Sequence, residues 1–189
     1  VAVTDPEAGP AVDPDRFREV LGHFASGVTV VTAVTSDGPV GFTCQAFTSL
    51  SLQPPLVALA PGKQSTSWPK IAAAGAFCVN ILSSSQEGLC RAFAVSGAEH
   101  ADKFAGVAWR PALSGSPVLQ GVHAWVDCRL LTVHEAGDHE LVLGRVLDLG
   151  VGGGEPLVFH RGRFGRLTGT DGPERDGSSW LGGRDASHG

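Results

Sequence analysis

The residues best equipped for chemistry lie between Pro39 and Ser67, PVGFTCQAFTSLSLQPPLVALAPGKQSTS. Two apolar, strand-like runs are each followed by a loop of hydroxyls, an amide and glycines, with no acidic residue and with Lys63 in the second loop. Apolar walls and short donors suit a planar, partly polar ligand with a phosphate tail. In the first run, strand alternation puts Phe42 and Cys44 on one face and Thr43 and Gln45 on the other. Gly41 would let a ring approach the backbone, and Thr43, Gln45 and free peptide N–H groups would serve carbonyl oxygens and ring nitrogens. A plain edge strand accounts for the same pattern equally well. In the second, Pro61-Gly62-Lys63-Gln64-Ser65-Thr66-Ser67 runs into a helix start, where hydroxyls, N–H groups and the lysine charge would hold an anion. The Gly/Lys/Ser order is not that of a Walker loop, and a helix cap with a solvated lysine is the competing reading. A third feature, Gly137-Asp138-His139, reads first as a hairpin tip, although its imidazole could hydrogen-bond a ligand while neutral.

The elements that must position these residues are mostly strands. Asp13-Pro14 caps a helix with Phe17, Val20, Leu21 and Phe24 at helical spacing, ending near Ser26-Gly27. Val28 to Thr35 is β-branched almost throughout, and Ser36-Asp37-Gly38-Pro39 turns it into a second strand, Val40 to Phe47. The chain then loops to Pro54-Pro55, and Leu56 to Ala60 is a short strand. A short helix from Trp68 to Gly75 precedes a strand from Ala76 to Leu82, and Ser84 with Glu87 makes a capping box for a helix through Phe93. Val122 to Glu135 and Glu140 to Leu149 form a long hairpin, and Leu157 to His160 and Arg163 to Leu167 complete the sheet. Strands in hairpins with few, short helices predict a mainly β protein, an antiparallel barrel with helices packed outside. The βα rhythm and the G-x-G-x-x-G fingerprint of a Rossmann fold are missing. Residues 1–13 read as a flexible leader, 14–167 as one domain and 168–189 as a flexible tail in which Trp180-Leu181 could dock on a partner or on the protein itself.

Composition narrows the function classes. A net charge of −5 with no basic cluster argues against nucleic acid, and no apolar run reaches the length of a membrane span. A cytoplasmic protein is the expectation. The four cysteines, Cys44, Cys78, Cys90 and Cys128, form no C-x-x-C pair and read as buried free thiols, with Cys44 set apart by its place in the first loop. His134, His139 and His160 offer no metal-ligand spacing, and no nucleophile or paired-carboxylate motif occurs, so neither a metal nor an obligatory catalytic side chain is expected.

Together, FREVLGHFASGVTVVT, PVGFTCQAFTSLSLQPPLV, KQSTSW, GAFCVNIL, DKFAGVAW, GSPVL, DCR, GDH and PLVFHRGRF resemble the short-chain flavin reductases. These are the reductase components of two-component flavin-dependent monooxygenases, with the FMN-binding split-barrel fold. The resemblance runs from about Phe17 to Leu167. It implies that Pro39, Val40, Gly41, Phe42, Thr43, Gln45 and Ala46 lie along the isoalloxazine ring. Ala60, Pro61, Gly62, Lys63, Ser65, Thr66 and Ser67 would hold its phosphate end, and Phe104 would be a further flavin-pocket residue. It assigns the nicotinamide nucleotide to His139, supported by Phe159, His160, Arg161 and Gly162, with Arg161 facing phosphate or ribose. His160 replaces the aromatic that family members often carry. The implied reaction is hydride transfer from nicotinamide C4 to flavin N5, with FAD (FMN the alternative) and NADH. A homodimer and a separate monooxygenase that receives reduced flavin are further implications. The same barrel also hosts non-catalytic flavin-binding or redox-sensing proteins and oxidases of the pyridoxamine-phosphate type, so the fold alone does not select among them.

Overall fold

The computed structural model describes residues 12–95 and 103–167. Most of the expected leader and the whole tail, with Trp180-Leu181, lie outside the described residues. In chain order the elements are α1 (Pro14–Leu21), β1 (Ser26–Gly27), β2 (Thr29–Thr35), β3 (Gly38–Cys44), β4 (Phe47–Leu52), β5 (Pro55–Leu59), α2 (Trp68–Ala74) and β6 (Ala76–Ile81). There follow α3 (Glu87–Ala94), β7 (Trp109–Pro111), β8 (Pro117–Leu119), β9 (Ala124–Ala136), β10 (His139–Val151), β11 (Val158–His160) and β12 (Arg163–Gly165).

Seven strands form one antiparallel sheet in the order β3-β2-β6-β9-β10-β5-β4. Its two edge strands, β3 and β4, are consecutive in the chain and joined only by Gln45 and Ala46. A flat sheet of that width would span roughly 30 Å, whereas the few residues from Cys44 to Phe47 reach about 10 Å. The sheet must therefore curl until its edges nearly meet, which is the split barrel. Next to the Phe47–Leu59 pair, Ala60 N–H donates to Ala46 O at 3.0 Å and carries the β4-β5 ladder into the link. Pro39 is accommodated because β3 is an edge strand and needs no donor on its open side. A three-stranded sheet, β1-β11-β12, and the β7-β8 hairpin cover the outside.

Strand alternation along β2 divides the interior in two. Val31 and Ala33 point into the barrel with Phe42, Cys44, Leu59, Trp68, Ile71, Phe77 and Val142. Val30 joins Val28, Phe93, Phe104, Leu119, Trp125 and Leu157 in a second core beneath α3 and the β7-β8 hairpin. On the face of the second core Asn80 is fully buried and satisfied: its amide donates to Val30 O, Thr32 Oγ1 and Pro117 O, and its Oδ1 accepts from Leu119 N–H at 2.8 Å. Asp127, also buried, accepts from Ser114 N–H at 2.7 Å and Ser114 Oγ at 2.5 Å, which anchors the β7-β8 turn. All four cysteines are buried free thiols, as their apolar settings predict.

Four local expectations change. The stretch after Phe47, read as a loop, is with Phe47 the edge strand β4 (Phe47–Leu52), because pairing with β5 satisfies its backbone. The β7-β8 hairpin was not foreseen in a proline- and glycine-rich stretch. The Ser84–Glu87 capping box is absent: Gln86 is the N-cap of α3, and its side-chain carbonyl reaches back to accept from Ser83 N–H at 3.0 Å. Helix α1 keeps its Asp13 cap, which accepts from Asp15 and Arg16 N–H, but ends at Leu21 and buries no residue. Phe17, Val20, Leu21 and Phe24 are 53–76% exposed, so no described residue covers their apolar stripe.

Candidate functional site

A cleft of about 720 Å³ opens beside the barrel seam. One side is the Ala60–Ser67 loop with His139; the floor is β3, the Gln45-Ala46 link and the start of β4; the far side is Leu21, Phe24, Ser26, the end of α3 and Lys103. The volume lies within the roughly 300–1,000 Å³ usual for cofactor sites.

Of the residues singled out in sequence, Phe42, Thr43, Gln45, Ala46, Ala60, Pro61, Gly62, Ser65, Thr66, Ser67 and His139 line this cleft together. Their positions follow from the backbone. Trp68 N–H donates to Ser65 Oγ at 3.1 Å, which occupies one donor of the α2 start but leaves the Ser65 hydroxyl proton free to be given to a ligand. Thr43 Oγ1 instead donates its proton to Cys90 O at 2.6 Å, tying β3 to α3 and leaving its lone pairs to accept. Phe42 is backed by Trp68 in an edge-on contact with ring centroids 6.4 Å apart, and the Trp68 indole N–H donates to Glu140.

The Gly137-Asp138 turn is docked onto the hydroxyl loop by main-chain bonds: Lys63 N–H donates to Asp138 O and Glu140 N–H to Pro61 O, both at 3.0 Å. Gly62 and His139 form a β-bridge. His139 Nδ1 lies 2.8 Å from Asp138 Oδ1, and this contact holds the Asp138 carboxyl below its ordinary value. An ionised carboxylate can only accept, so Nδ1 carries the proton and a neutral His139 presents Nε2 as an acceptor. A Cβ on Gly62 would lie 3.6 Å from that Nε2, so glycine leaves the imidazole open on this side.

Other predicted site residues lie elsewhere. Pro39, Val40 and Gly41 sit in β3 away from the cleft lining. The space beside Gly41 is taken by Phe93: a Cβ there would come within 2.8 Å of its ring, so the glycine admits a core phenylalanine and not a ligand ring. Phe104 is buried behind Phe93, edge-on at 5.1 Å between centroids. Lys63 does not line the cleft; its ammonium pairs with Glu135. Phe159, His160, Arg161 and Gly162 form the β11-β12 hairpin outside the lining. There Phe159 packs on Phe164, His160 meets His23 edge-on, and Arg161 N–H donates to Gly22 O at 2.9 Å. The hairpin touches the site indirectly, through the pairing of Phe159 with Ser26 in β1.

Sequence reasoning missed Leu21, Phe24, Ser26, Thr48, Ala58, Leu59, Phe93, Ala94, Lys103 and Leu141, and left Cys44, Phe47 and Gln64 without a role. Thr48 went unseen because the stretch after Phe47 was read as a loop. Lys103 had a signal, since it directly precedes Phe104 in the DKFAG segment. Burial pushes the Cys44 thiol up to about 11, so it stays protonated and serves as floor. Ser26 Oγ is buried in the wall and has no hydrogen-bond partner among the described residues. An orphaned hydroxyl in a cleft wall fits a bound polar ligand that would satisfy it.

Residues 21–168 match the flavin reductase-like domain. The chain belongs to that family. It is 50% identical over 157 residues to a flavin reductase of Pseudomonas putida, covering 82% of this chain and 91% of that one. It is 47% identical over 158 residues to the reductase subunit of a flavin-dependent monooxygenase of Rhodococcus jostii, with 83% and 80% covered. Among solved structures, the NADH:FAD oxidoreductase of Streptomyces globisporus, in complex with NAD and FAD fragments, is 36% identical with a TM-score of 0.77 over 87% of this chain and 100% of that one. The barrel expected from strand order is thus the fold of a flavin reductase.

Proposed function

We propose that this protein is an NADH-dependent flavin reductase that supplies reduced FAD or FMN to a separate monooxygenase. The reading is carried by one juxtaposition: His139, held as an Nε2 acceptor by Asp138, beside an acid-free loop of hydroxyls, all on a flavin reductase barrel. The names of its relatives, a flavin reductase and a monooxygenase reductase subunit, support the same role.

The bound flavin and nicotinamide supply the chemistry, hydride transfer from nicotinamide C4 to flavin N5. The chain binds and orients. Phe42, Gln45, Ala46 and Phe47 wall the ring, and Thr43 offers an acceptor for a ring N–H. Ser65, Thr66 and Ser67 donate to phosphate. Ser26 Oγ gains the partner it lacks. His139 Nε2 accepts from the nicotinamide carboxamide or a ribose hydroxyl, and the Phe159–Gly162 hairpin acts by holding Ser26 through the β1-β11 pairing. No side chain need move a proton. The apolar stripe of α1, exposed among the described residues, supports a homodimer of C2 symmetry, since a face of phenylalanine, valine and leucine gains by burial. No helix among the described residues is long and apolar enough to cross a membrane; a cytoplasmic setting agrees with the reducing conditions that four free thiols require.

Oxidation of NADH followed at 340 nm with added FAD, FMN or riboflavin tests the proposal. Turnover with NADH and at least one flavin is expected; no turnover with any of them overturns it.

A further inference from the structure

Lys103 lies in the cleft yet is unused by the reading so far. It is the one lysine or arginine among the described lining residues, because Lys63 is turned away onto Glu135. Its ammonium donates to Phe93 O at 3.1 Å, at the C-terminal end of α3, where backbone carbonyls lack helical partners and carry partial negative charge. No carboxylate among the described residues pairs with it. The same end of α3 abuts β3, with Phe93 against Gly41 and Cys90 O accepting from Thr43. Lys103 therefore serves the side of the cleft formed by β3 and α3, and the hydroxyl loop docked on the Gly137-Asp138 turn stands on the other.

Hydride transfer moves one proton and two electrons from nicotinamide C4 to flavin N5. The C4–H bond breaks and an N5–H bond forms; the nicotinamide gains a positive charge and the flavin ring a negative one. A cation fixed at the ring side interacts more strongly with the ring after that transfer than before it. We propose that Lys103 is the positioning residue that compensates the negative charge of reduced flavin, and that it selects the reduced over the oxidised ring in this cleft. Desolvation lowers the Lys103 pKa, as expected for an ammonium opposed only by a carbonyl, and an anionic ring would supply the missing counter-charge. This inference rests on the flavin reductase reading and adds a redox preference to it.

The test is the dissociation constant of oxidised and of dithionite-reduced riboflavin, FMN and FAD, measured anaerobically for wild type and for Lys103→Gln, Lys103→Arg and Lys63→Gln. Flavin binding by the wild type tests the underlying reading independently of the variants. For Lys103→Gln we expect about tenfold weaker binding of reduced flavin and less than twofold change for oxidised flavin, with riboflavin affected as much as FMN. By linkage the midpoint potential of bound flavin falls by about 30 mV, the equivalent of tenfold for two electrons. Lys103→Arg keeps the charge and should retain most of the preference, which separates loss of charge from loss of folding; Lys63→Gln should leave both constants unchanged. Equal weakening of the oxidised and reduced forms, or an effect seen with FMN and FAD but absent with riboflavin, would make Lys103 a phosphate ligand and overturn the proposal. So would wild-type constants for Lys103→Gln.

Discussion

Two hairpin turns of this protein have the same length and opposite relations to the cleft. Gly137-Asp138 joins β9 to β10 with glycine at φ +69°; Arg161-Gly162 joins β11 to β12 with both residues at positive φ, +50° and +75°. In sequence each places a histidine beside a glycine and a charged residue, and each was assigned to the same nucleotide. In the fold, the first is bonded through main-chain groups to the hydroxyl loop and turns His139 into the cleft. The second is bonded to Gly22 behind the cleft wall and spends His160 on His23. What a turn carries matters less than which segment its backbone is docked against, and that is a long-range property.

The largest effect expected from this comparison is functional. His139→Ala should raise the apparent KM for NADH about tenfold, or about 1.4 kcal/mol, with flavin affinity within twofold, whereas Arg161→Ala should change that KM by less than about twofold. Steady-state kinetics with both variants decides it, and an Arg161 effect equal to that of His139 would erase the distinction. The Asp138–His139 contact has a defined pH window. Because the folded-state pKa of Asp138 lies below its ordinary 3.8, its contribution is complete above that value and is lost as the pH falls through the lowered one. Asp138→Asn should therefore remove an acid-side loss of stability, read from thermal melts across that range.

A smaller effect separates the turns by backbone strain. Gly137→Ala places a Cβ at φ +69° and should cost about 1–2 kcal/mol in denaturant unfolding. Arg161→Gly removes a Cβ from the same region of backbone conformation and should be neutral or stabilising, by no more than about 1 kcal/mol. Equal losses at both would mean that the turns are held by other forces. Smallest of all, Lys63→Ala breaks a solvent-exposed ion pair with Glu135 and should change stability by about 0–1 kcal/mol, leaving flavin affinity within twofold. A large loss of flavin affinity would restore Lys63 to the phosphate site.

Much of the barrel was legible because its signals are local. The β-branched run of β2, the glycine turns and the Asp13 cap each act within a few residues, where side-chain shape and φ preference decide conformation. The hydroxyl loop was legible for the same reason: its composition is unusual within seven residues, Pro61 to Ser67. What escaped were contacts set by chain reversal. Gly41 looked like room for a ligand, and the fold fills it with a phenylalanine from α3. Ser26 and Lys103 looked ordinary, being a helix-end serine and a surface lysine by type, until α1 and α3 brought them to one wall.

The sequence by itself determined the succession of most strands, the family and the hydroxyl loop, since periodicity, turn chemistry and motif order are written along the chain. The tertiary structure decided which cation faces the cleft. Lys63 and Lys103 are alike as residues, and only the placement of Glu135 beside one and of a bare carbonyl beside the other makes the second the charge available to a ligand. Electrostatic partnership depends on distance in space, which a barrel closed between Cys44 and Phe47 sets and spacing along the chain does not.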